Sequence, residues 1–419
     1  MNNIQRAGMD ILVGIILVGI GIIAYIQEKL FMVRVFDMLG YIFVIQSIFN
    51  LYQYFIHRKE ALQLPSIIIT MLIGIGILLY TDIPVYLLVV LFAIYVTFHG
   101  VARFLIYWNY KENKVTGRLL ILIISIILLV IGLATLISPR MNTNQVIRIV
   151  AIYVVLLGMR YIKDGILIIV PESKKDIFRR KIRISLPIFM TALLPKVMMD
   201  YVNDKVAVES PTEIKNTNKN INLEIFIHAS GKGYGQVGHC DICIDGEIIS
   251  YGNYDYYSTK LFEMMGEGVL IISKKDIYLP FCIHESDKTI FGYGMHLNPT
   301  QLRSVRKAVA AMKANSYQWY PPAYFDSSIK IDYASRLYLE TKAKFYKFKK
   351  GKFKKYFVLG SNCVLLAENL IGRIGQDIIN INGIISPGHY QDYLEKEYYK
   401  KDSQVVARYI YNKNSLVHK

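Results

Sequence analysis

Residues 235–252, GQVGHCDICIDGEIISYG, decide how the C-terminal half of the chain folds. Apolar residues alternate on both sides of the Asp-Gly pair at 245–246, a dipeptide that favours a two-residue hairpin turn. The pattern predicts two antiparallel strands, with His239 at the start of the first. Because side chains alternate along a strand, His239 and Asp241 share one face while Cys240 faces the other way.

A second motif, GSNCVLLAENLIG at residues 360–372, predicts an extended approach into a helix that starts near Cys363. The positive end of a helix dipole favours the thiolate form of a cysteine placed there. A nearby imidazole would complete an activated thiol nucleophile. From spacing alone, Cys363 is equally well read as a buried structural cysteine and His239 as a strand histidine.

Apolar residues, which make up 53% of the 419, are concentrated in residues 1–172. A membrane span needs roughly 20 apolar residues. The stretches that meet this requirement are 8–27, 31–56, 64–81, 83–108, 117–138 and 145–170. The chain therefore divides into a helical polytopic membrane domain, 1–172, and a C-terminal region that is largely outside the bilayer.

The spans repeat. AIYVTFHGVARF at 93–104 recurs as AIYVVLLGMRYI at 151–162, which brings Gly100 and Gly158 into register. Such self-similarity indicates three copies of a helical hairpin, and small residues on the helices permit close packing in lipid. Over roughly residues 8–170 the glycine spacing and hydropathy resemble HdeD-type membrane proteins.

The loops after the second, fourth and sixth spans are basic, so the positive-inside rule places them and the N-terminus in the cytoplasm. Residues 173–203 combine the last basic loop with ISLPIFMTALLPKVMMDYV at 184–202, which we expect to form a seventh span. The C-terminal domain is then extracellular. The alternative is an amphipathic helix on the inner face, which leaves that domain cytoplasmic.

Residues 204–220 predict a polar linker, and 221–412 an α+β domain. Its motifs run in the order Gly238-His239, YGNYD at 251–255, LNPTQ at 297–301, Asn362-Cys363 and SPGHYQDYL at 386–394. Over roughly 222–397 this order resembles the circularly permuted branch of the NlpC-type papain-like superfamily. That branch includes lecithin:retinol acyltransferase-like enzymes and the Lnb-type domain of bacterial lipoprotein N-acyltransferases.

The resemblance implies that Cys363 is the nucleophile and His239 its base. Retinol-type acyltransferases carry a second histidine on the strand after the turn, where this chain has Ser250 and Tyr251. Asn362 is expected either to position the nucleophile or an oxyanion, or to cap the helix. The group that orients His239 stays open. The candidates are Tyr251, Ser250, Asn253 and Asp241.

Two pairs of residues have zinc-like spacing, Cys240 with Cys243 and Cys282 with His284. Cys240 and Cys243 point to opposite faces if they lie on a strand, which disfavours a shared ion. Four cysteines without a clear pairing also argue against a disulfide framework. We expect neither a metal nor another cofactor.

Residues 342–355, KAKFYKFKKGKFKK, hold eight lysines and no acid. Nucleic acid could bind such a segment, but in a membrane protein anionic lipid headgroups are the nearer partner, at about 1 kcal/mol per lysine. A solvated loop is the third interpretation. We expect lipid contact and no nucleic acid.

The resulting hypothesis is a membrane-anchored thiol acyltransferase. An acyl chain would pass from a phospholipid through a Cys363 acyl-enzyme to an amine, such as a lipoprotein N-terminus. The alternatives are a cell-wall peptide amidase or endopeptidase of the same superfamily, and a non-catalytic membrane stress protein. The sequence leaves the oligomeric state open.

Overall fold

The structure is a computed structural model that divides into two compact units. One unit comprises residues 10–104 and 120–162, and the other comprises 1–9, 105–119 and 163–419. The described residues are 3–57, 63–140, 142–169, 182–183, 191–205, 213–214, 220–231, 233–371, 379–380, 386–400 and 403–413.

Apolar helices occupy the six stretches that the sequence predicts as spans. They are α1 (Asn3–Gln27), α2 (Lys29–His57), α3 (Gln63–Leu79), α4 (Asp82–Glu112), α5 (Arg118–Ile137) and α6 (Thr143–Ile169). Five are long and apolar enough to cross a bilayer, and Leu64–Leu79 is a shorter apolar helix. Large apolar side chains such as Ile26 and Phe55, more than 70% exposed, suit a lipid environment rather than water.

Glycines let the helices of the first unit approach backbone to backbone. A Cβ on Gly14 of α1 would lie 2.7 Å from the carbonyl oxygen of Gly158 on α6, and one on Gly40 of α2 would lie 3.2 Å from that of Gly74 on α3. Gly100 of α4 approaches the backbone of α5 in the same way. Small residues therefore serve close packing, as predicted. The helices that approach each other at these glycines are α1 with α6, α2 with α3 and α4 with α5. These are not the helix pairs α1–α2, α3–α4 and α5–α6 that form the three hairpins of the sequence repeat.

An antiparallel sheet of nine strands forms the centre of the second unit. Its strand order is β2, β13, β8, β3, β4, β5, β7, β10, β9, while β1 pairs with β12 and β6 with β11. The strands are β1 (Ile182–Arg183), β2 (Glu213–Ile214), β3 (Leu223–Ala229), β4 (His239–Ile244), β5 (Glu247–Gly252), β6 (Met265–Glu267), β7 (Val269–Lys274), β8 (Thr289–Met295), β9 (Ser316–Trp319), β10 (Lys344–Phe348), β11 (Lys355–Phe357), β12 (Ile379–Asn380) and β13 (Val405–Tyr411).

Helices cover both faces of this sheet. They are α7 (Leu194–Lys205), α8 (Lys275–Ser286), α9 (Pro299–Ala314), α10 (Tyr333–Thr341), α11 (Cys363–Ile371) and α12 (Pro387–Tyr399). One apolar core lies between the sheet and α7, α9, α11 and α12, and a second lies between the sheet and α8 and α10. The predicted α+β class is confirmed at this level, as an antiparallel sheet with helices.

The described part of the predicted seventh span, residues 191–202, packs within the second unit. Thr191 lies 2.9 Å from His389 of α12, and α7 buries Met199 in the core beside the sheet. The strand β1, just before the segment, pairs in parallel with β12 of the same unit. Residues 184–190 lie outside the described residues.

The predicted linker, residues 204–220, also contains an element of the fold. Glu213 and Ile214 form the edge strand β2, in which Ile214 pairs with Ala407 of β13. The folded domain thus begins before the predicted boundary at residue 221, because α7 and β2 already belong to it. The basic cluster from Lys174 to residue 181 lies outside the described residues.

Candidate thiol active site

A tight hairpin places His239 in the middle of the sheet. Asp245 and Gly246 have φ values of +53° and +77°, the positive angles that a type I′ turn requires at both central positions. The turn sets Ile242 of β4 opposite Ile249 of β5. The predicted hairpin is therefore present, and it brings the end of β5 beside His239.

Three oxygen atoms surround one nitrogen of the His239 ring. The Nε2 atom lies 2.8 Å from Oδ1 of Asp241, 3.0 Å from Oγ of Ser250 and 3.1 Å from the hydroxyl of Tyr254. The Ser250 and Tyr254 oxygens are themselves 2.8 Å apart. Because these contacts all converge on Nε2, Nδ1 is the nitrogen left to face a thiol. The tautomer and the ring orientation are thus fixed from one side.

The carboxylate of Asp241 is completely buried. Its Oδ2 accepts a hydrogen bond of 3.0 Å from the Tyr278 hydroxyl and lies 2.9 Å from Nε2 of His228. Burial alone would raise its pKa, but the charge of His239 and contacts with His228 hold the pKa of Asp241 well below its usual value. Burial lowers the pKa of His228 to about 4, so this second imidazole is neutral at pH 7. Asp241 therefore supplies a fixed negative charge beneath His239.

Cys363 is the first residue of α11, and it is 3% exposed. The side chain of Asn362 accepts a hydrogen bond of 3.0 Å from the Leu365 backbone N–H, which is the bond of a helix N-cap. The helix packs against β4 and β5. Cys363, at the N-terminus of α11, lies in the same core as Cys240 of β4.

Cys363 lies close enough to His239 to affect the pKa of the imidazole. Burial disfavours the imidazolium, yet the Asp241 carboxylate and Cys363 outweigh it and raise the pKa of His239 to about 10. At neutral pH His239 is therefore an imidazolium, with its Nε2 beside the Asp241 carboxylate. Burial and the nearby Cys363 raise the pKa of the Tyr356 hydroxyl well above the ordinary value. This arrangement is that of a nucleophile, a base and an orienting carboxylate.

The turn before Cys363, residues 358–362, is tied to its surroundings at several points. The Val358 N–H donates to the Met264 carbonyl at 3.0 Å, and Ser361 Oγ donates to the Lys355 carbonyl at 2.7 Å. Asn109, in the last turns of α4, donates to Ser361 Oγ at 3.2 Å. A side chain from one of the apolar helices therefore holds the turn that carries the candidate nucleophile.

The structure brings only some of the predicted site residues to the His239 ring. Of the four candidates for the group that orients His239, Asp241 and Ser250 contact the ring. Tyr251 faces the other way and donates to the Phe353 carbonyl at 2.9 Å, on the Cys363 side of the sheet. Asn253 instead donates to backbone carbonyls of the loop before β6. Asn362 caps α11, the second of its two expected roles.

Three residues of the site were missed by sequence reasoning, namely Tyr254, Tyr278 and His228. Tyr254 belongs to the YGNYD motif, which contributed to the family resemblance but indicated no role for Tyr254. His228, the residue before the last of β3, pairs directly with His239 of β4, so strand pairing could have indicated it. Tyr278 comes from α8, and no local pattern connects that helix with β4.

The other three cysteines are buried thiols in apolar surroundings. Cys240 packs in the core that contains Cys363, whereas Cys243 packs in the core on the opposite face, as strand alternation predicts. Burial raises the pKa of Cys243 to about 12 and also raises the pKa values of Cys240 and Cys282. Protonated thiols are poor metal ligands. Within the part of the chain that the structure describes, no group of three or more His, Cys, Asp or Glu side chains is arranged to hold a metal ion.

The basic segment 342–355 is mostly structure rather than loop. Residues Lys344–Phe348 form β10 and Lys355–Phe357 form β11, while Phe345 and Phe353 are buried. Lys347 is also buried, because its ammonium pairs with carboxylates, one of them Asp255 at 2.7 Å. The lysines left to meet a lipid surface are the exposed ones. They are Lys342, Lys344, Lys349, Lys350 and Lys354.

Comparison with known families identifies a similarity in the helical part of the chain. Residues 12–65 and 66–137 each match a family described as a short repeat of unknown function, DUF308. This match supports the predicted resemblance to HdeD-type membrane proteins and the presence of a repeat, and it does not extend to the C-terminal domain. No curated protein and no solved structure matches the chain.

Proposed function

We propose that the chain is a membrane-bound cysteine acyltransferase. Cys363 would take an acyl group from a phospholipid ester and pass it to an amine. The observation that carries the proposal is the Asp241–His239 pair with Cys363 nearby, in which the Asp241 carboxylate and Cys363 raise the pKa of His239 to about 10 against its burial. The permuted papain-like resemblance supports the same assignment of roles.

The chemistry has two steps. The Cys363 thiolate attacks the ester carbonyl carbon, a C–S bond forms, and the leaving alkoxide takes a proton from the His239 imidazolium. The amine then attacks the thioester, its proton passes to the His239 imidazole, and the C–S bond breaks to restore the thiolate. Asp241 keeps the ring oriented throughout and stabilises the imidazolium.

The position of the nucleophile supports a lipid substrate. Asn109 holds the turn before Cys363, and it lies one residue after Trp108 near the end of an apolar helix of membrane-spanning length. Tryptophan at such a helix end is typical of the membrane–water interface. A phospholipid ester bond lies in that same region, so the donor is close to the thiol without leaving the bilayer.

The orientation that we propose is cytoplasmic, which reverses the placement expected from the sequence. Six crossings, with the shorter helix α3 counted as one and no seventh span, would leave the C-terminal domain on the same side as the N-terminus. The unit that contains this domain also contains residues 1–9, 105–119 and 163–169, which are the N-terminus, the second basic connection and the end of the sixth helix. The positive-inside rule puts those segments in the cytoplasm.

This orientation bears on the acceptor. The N-terminus of an exported lipoprotein lies on the outer side of the membrane, so a cytoplasmic site would not reach it. The proposed acceptor is then an amine at the inner face. A hydrolase of the same superfamily would use water in its place, and the experiment below separates the two.

The test is the detection of an acyl adduct on Cys363. The full chain, purified from membranes or incubated with phospholipid vesicles, is digested and analysed by mass spectrometry with and without an added amine. An acyl thioester on Cys363 that disappears as acylated amine accumulates is expected. Cys363→Ser and His239→Ala should abolish both signals, whereas Cys243→Ala is the matched control and should retain them. A folded protein that never carries an acyl group, or that yields only free fatty acid, would overturn the transferase assignment.

Orientation is tested separately in intact cells that carry a C-terminal epitope tag. A membrane-impermeant protease is expected to spare the domain until the cells are lysed. Loss of the tag from intact cells would restore the extracellular placement.

A further inference from the structure

An exposed apolar surface lies next to the turn that carries Cys363. It consists of Tyr256, Tyr257, Leu261 and Phe262, here called the apolar tip. Phe262 is 91% exposed and Tyr257 is 72% exposed, and the other two are half exposed. A soluble domain seldom leaves several large apolar side chains together in water, so the tip indicates a binding surface.

The backbone holds the tip in a fixed outward position. Leu261, Phe262 and Glu263 are consecutive residues with φ between +51° and +65°, a region that L-residues rarely adopt. Such a conformation persists only where the surroundings impose it. Here the Lys260 and Met265 backbones exchange two hydrogen bonds across the loop, and the Asn253 amide donates to the carbonyls of Glu263 and Met265.

The loop is connected to the end of α4. Directly after the tip, β6 pairs with β11, whose Lys355 forms an ion pair with Glu112, the last residue of α4. Lys260, at the base of the tip, lies close enough to interact with the Glu112 charge as well. Trp108, one turn earlier and 52% exposed, donates to Glu112 at 2.8 Å. The tip therefore lies beside the interfacial end of a membrane-spanning helix.

We propose that the apolar tip inserts into the bilayer that α4 spans, at the depth of the headgroups and the first acyl carbons. Two observations favour lipid over a protein partner. The tip is connected to the end of α4, and the exposed lysines Lys260 and Lys354 suit anionic headgroups. The tip would keep the Cys363 turn against the lipid surface. That last consequence rests on the proposed function, but the insertion itself does not.

The test measures the depth of single sites in the reconstituted full chain. Phe262→Cys is labelled with a nitroxide in a Cys363→Ala background, in which the other native cysteines are buried. Phe325→Cys is the matched control, because Phe325 is 77% exposed beside Tyr320 and Tyr324 in the segment after β9. Power-saturation electron paramagnetic resonance then compares collisions with oxygen, which partitions into lipid, and with a water-soluble nickel chelate.

The ratio of oxygen to chelate collisions is expected to be several-fold higher at 262 than at 325. Equal ratios would overturn the proposal. So would a label at 262 that is shielded from both reagents, because that result indicates a protein partner or a second copy of the chain. The measurement needs no turnover, so a failure of the acyltransferase assignment leaves it unaffected.

A second readout covers the substrate. Phe262→Ser is expected to lower turnover of a vesicle-embedded phospholipid several-fold while leaving turnover of a short soluble thioester unchanged. Phe325→Ser should affect neither. Equal loss on both donors in the Phe262 variant would mean that the tip supports the fold of the site and would overturn the docking role.

Discussion

Replacement of Asp241 by asparagine tests the charge arrangement of the site most directly. Asp241 Oδ1 lies 2.8 Å from His239 Nε2. At that distance two unit charges attract by about 6 kcal/mol with an effective dielectric constant of ~20. The rise of the His239 pKa from 6.5 to about 10 corresponds to about 5 kcal/mol. The two figures are of the same size, so the Asp241 carboxylate is the main group that keeps His239 protonated against its burial.

In Asp241→Asn, burial acts on His239 without that opposing charge. The pKa of His239 is expected to fall to its ordinary value or below, and the imidazole then becomes neutral near pH 7. Cys363 loses its cationic partner. Alkylation of Cys363 at pH 6–7 should slow by ~10²-fold or more, in line with the loss seen when a triad carboxylate becomes an amide.

The assay needs no knowledge of the substrate. The purified full chain is pulsed with iodoacetamide from pH 5 to pH 10, and mass spectrometry quantifies the adduct on each cysteine. The wild-type rate at Cys363 is expected to be high already at pH 6, whereas the variant rate should rise only at alkaline pH, as for an ordinary thiol. Cys282, which is fully buried, should stay unmodified and so reports that the fold is intact.

A matched control uses the other aspartate of the same hairpin. Asp245 is 52% exposed and pairs with Arg306 on the surface, so Asp245→Asn should leave the alkylation profile unchanged. If Asp241→Asn reacts within about threefold of the wild type at every pH, Asp241 does not set the charge of His239. The proposed roles of these residues would then have to be withdrawn.

Four further variants have distinct expected outcomes. Asn109→Ala removes the hydrogen bond to Ser361, which is a loss of about 1 kcal/mol. In steady-state kinetics it should lower kcat for a soluble thioester several-fold with little change in KM. The double variant Lys349→Gln with Lys350→Gln should reduce turnover of a vesicle-embedded donor at low salt only, because salt screens exposed charges. Lys347→Gln should instead lower the thermal unfolding temperature, since it leaves carboxylates unpaired. The unfolded chain protonates a histidine near pH 6.5, but buried His228 does so only near pH 4. Stability should therefore fall as pH drops through that window, and His228→Gln should lessen the fall in thermal unfolding of the full chain in detergent.

The sequence predicted those parts of the site that local rules determine. The Asp-Gly turn fixes the β4–β5 hairpin, and the Asn-Cys pair fixes the start of α11, because both depend on neighbours within a few residues. The group that orients His239 could not be chosen in this way. Asp241, Ser250 and Tyr251 were equivalent in sequence, and only the packing of Tyr254 and the ring against β5 separates them.

Two features of the second unit depend on contacts that are distant in sequence. Residues 184–202 have the hydropathy of a weak span, whereas the described helix that begins in this segment, α7, is only 12 residues long, or ~18 Å, against ~30 Å of hydrocarbon. A helix that buries one face in a protein core resembles such a span in composition. Lipid contact was expected of the lysine-rich segment as a whole, since nothing near Lys347 in sequence reveals the acidic partner Asp255, 92 residues away.

The position of Cys363 depends on the sheet and on an apolar helix together. Helix α11 is fixed by its packing on β4 and β5, but the turn that leads into it is bound to Asn109 of α4 through Ser361. Ile106 of α4 also lies so close to Gly360 that a Cβ there would come within 2.6 Å of it. A side chain at residue 360 would therefore displace either the turn or α4. Because Cys363 follows this contact by three residues, the end of α4 acts as a part of the proposed active site and not only as its anchor in the bilayer.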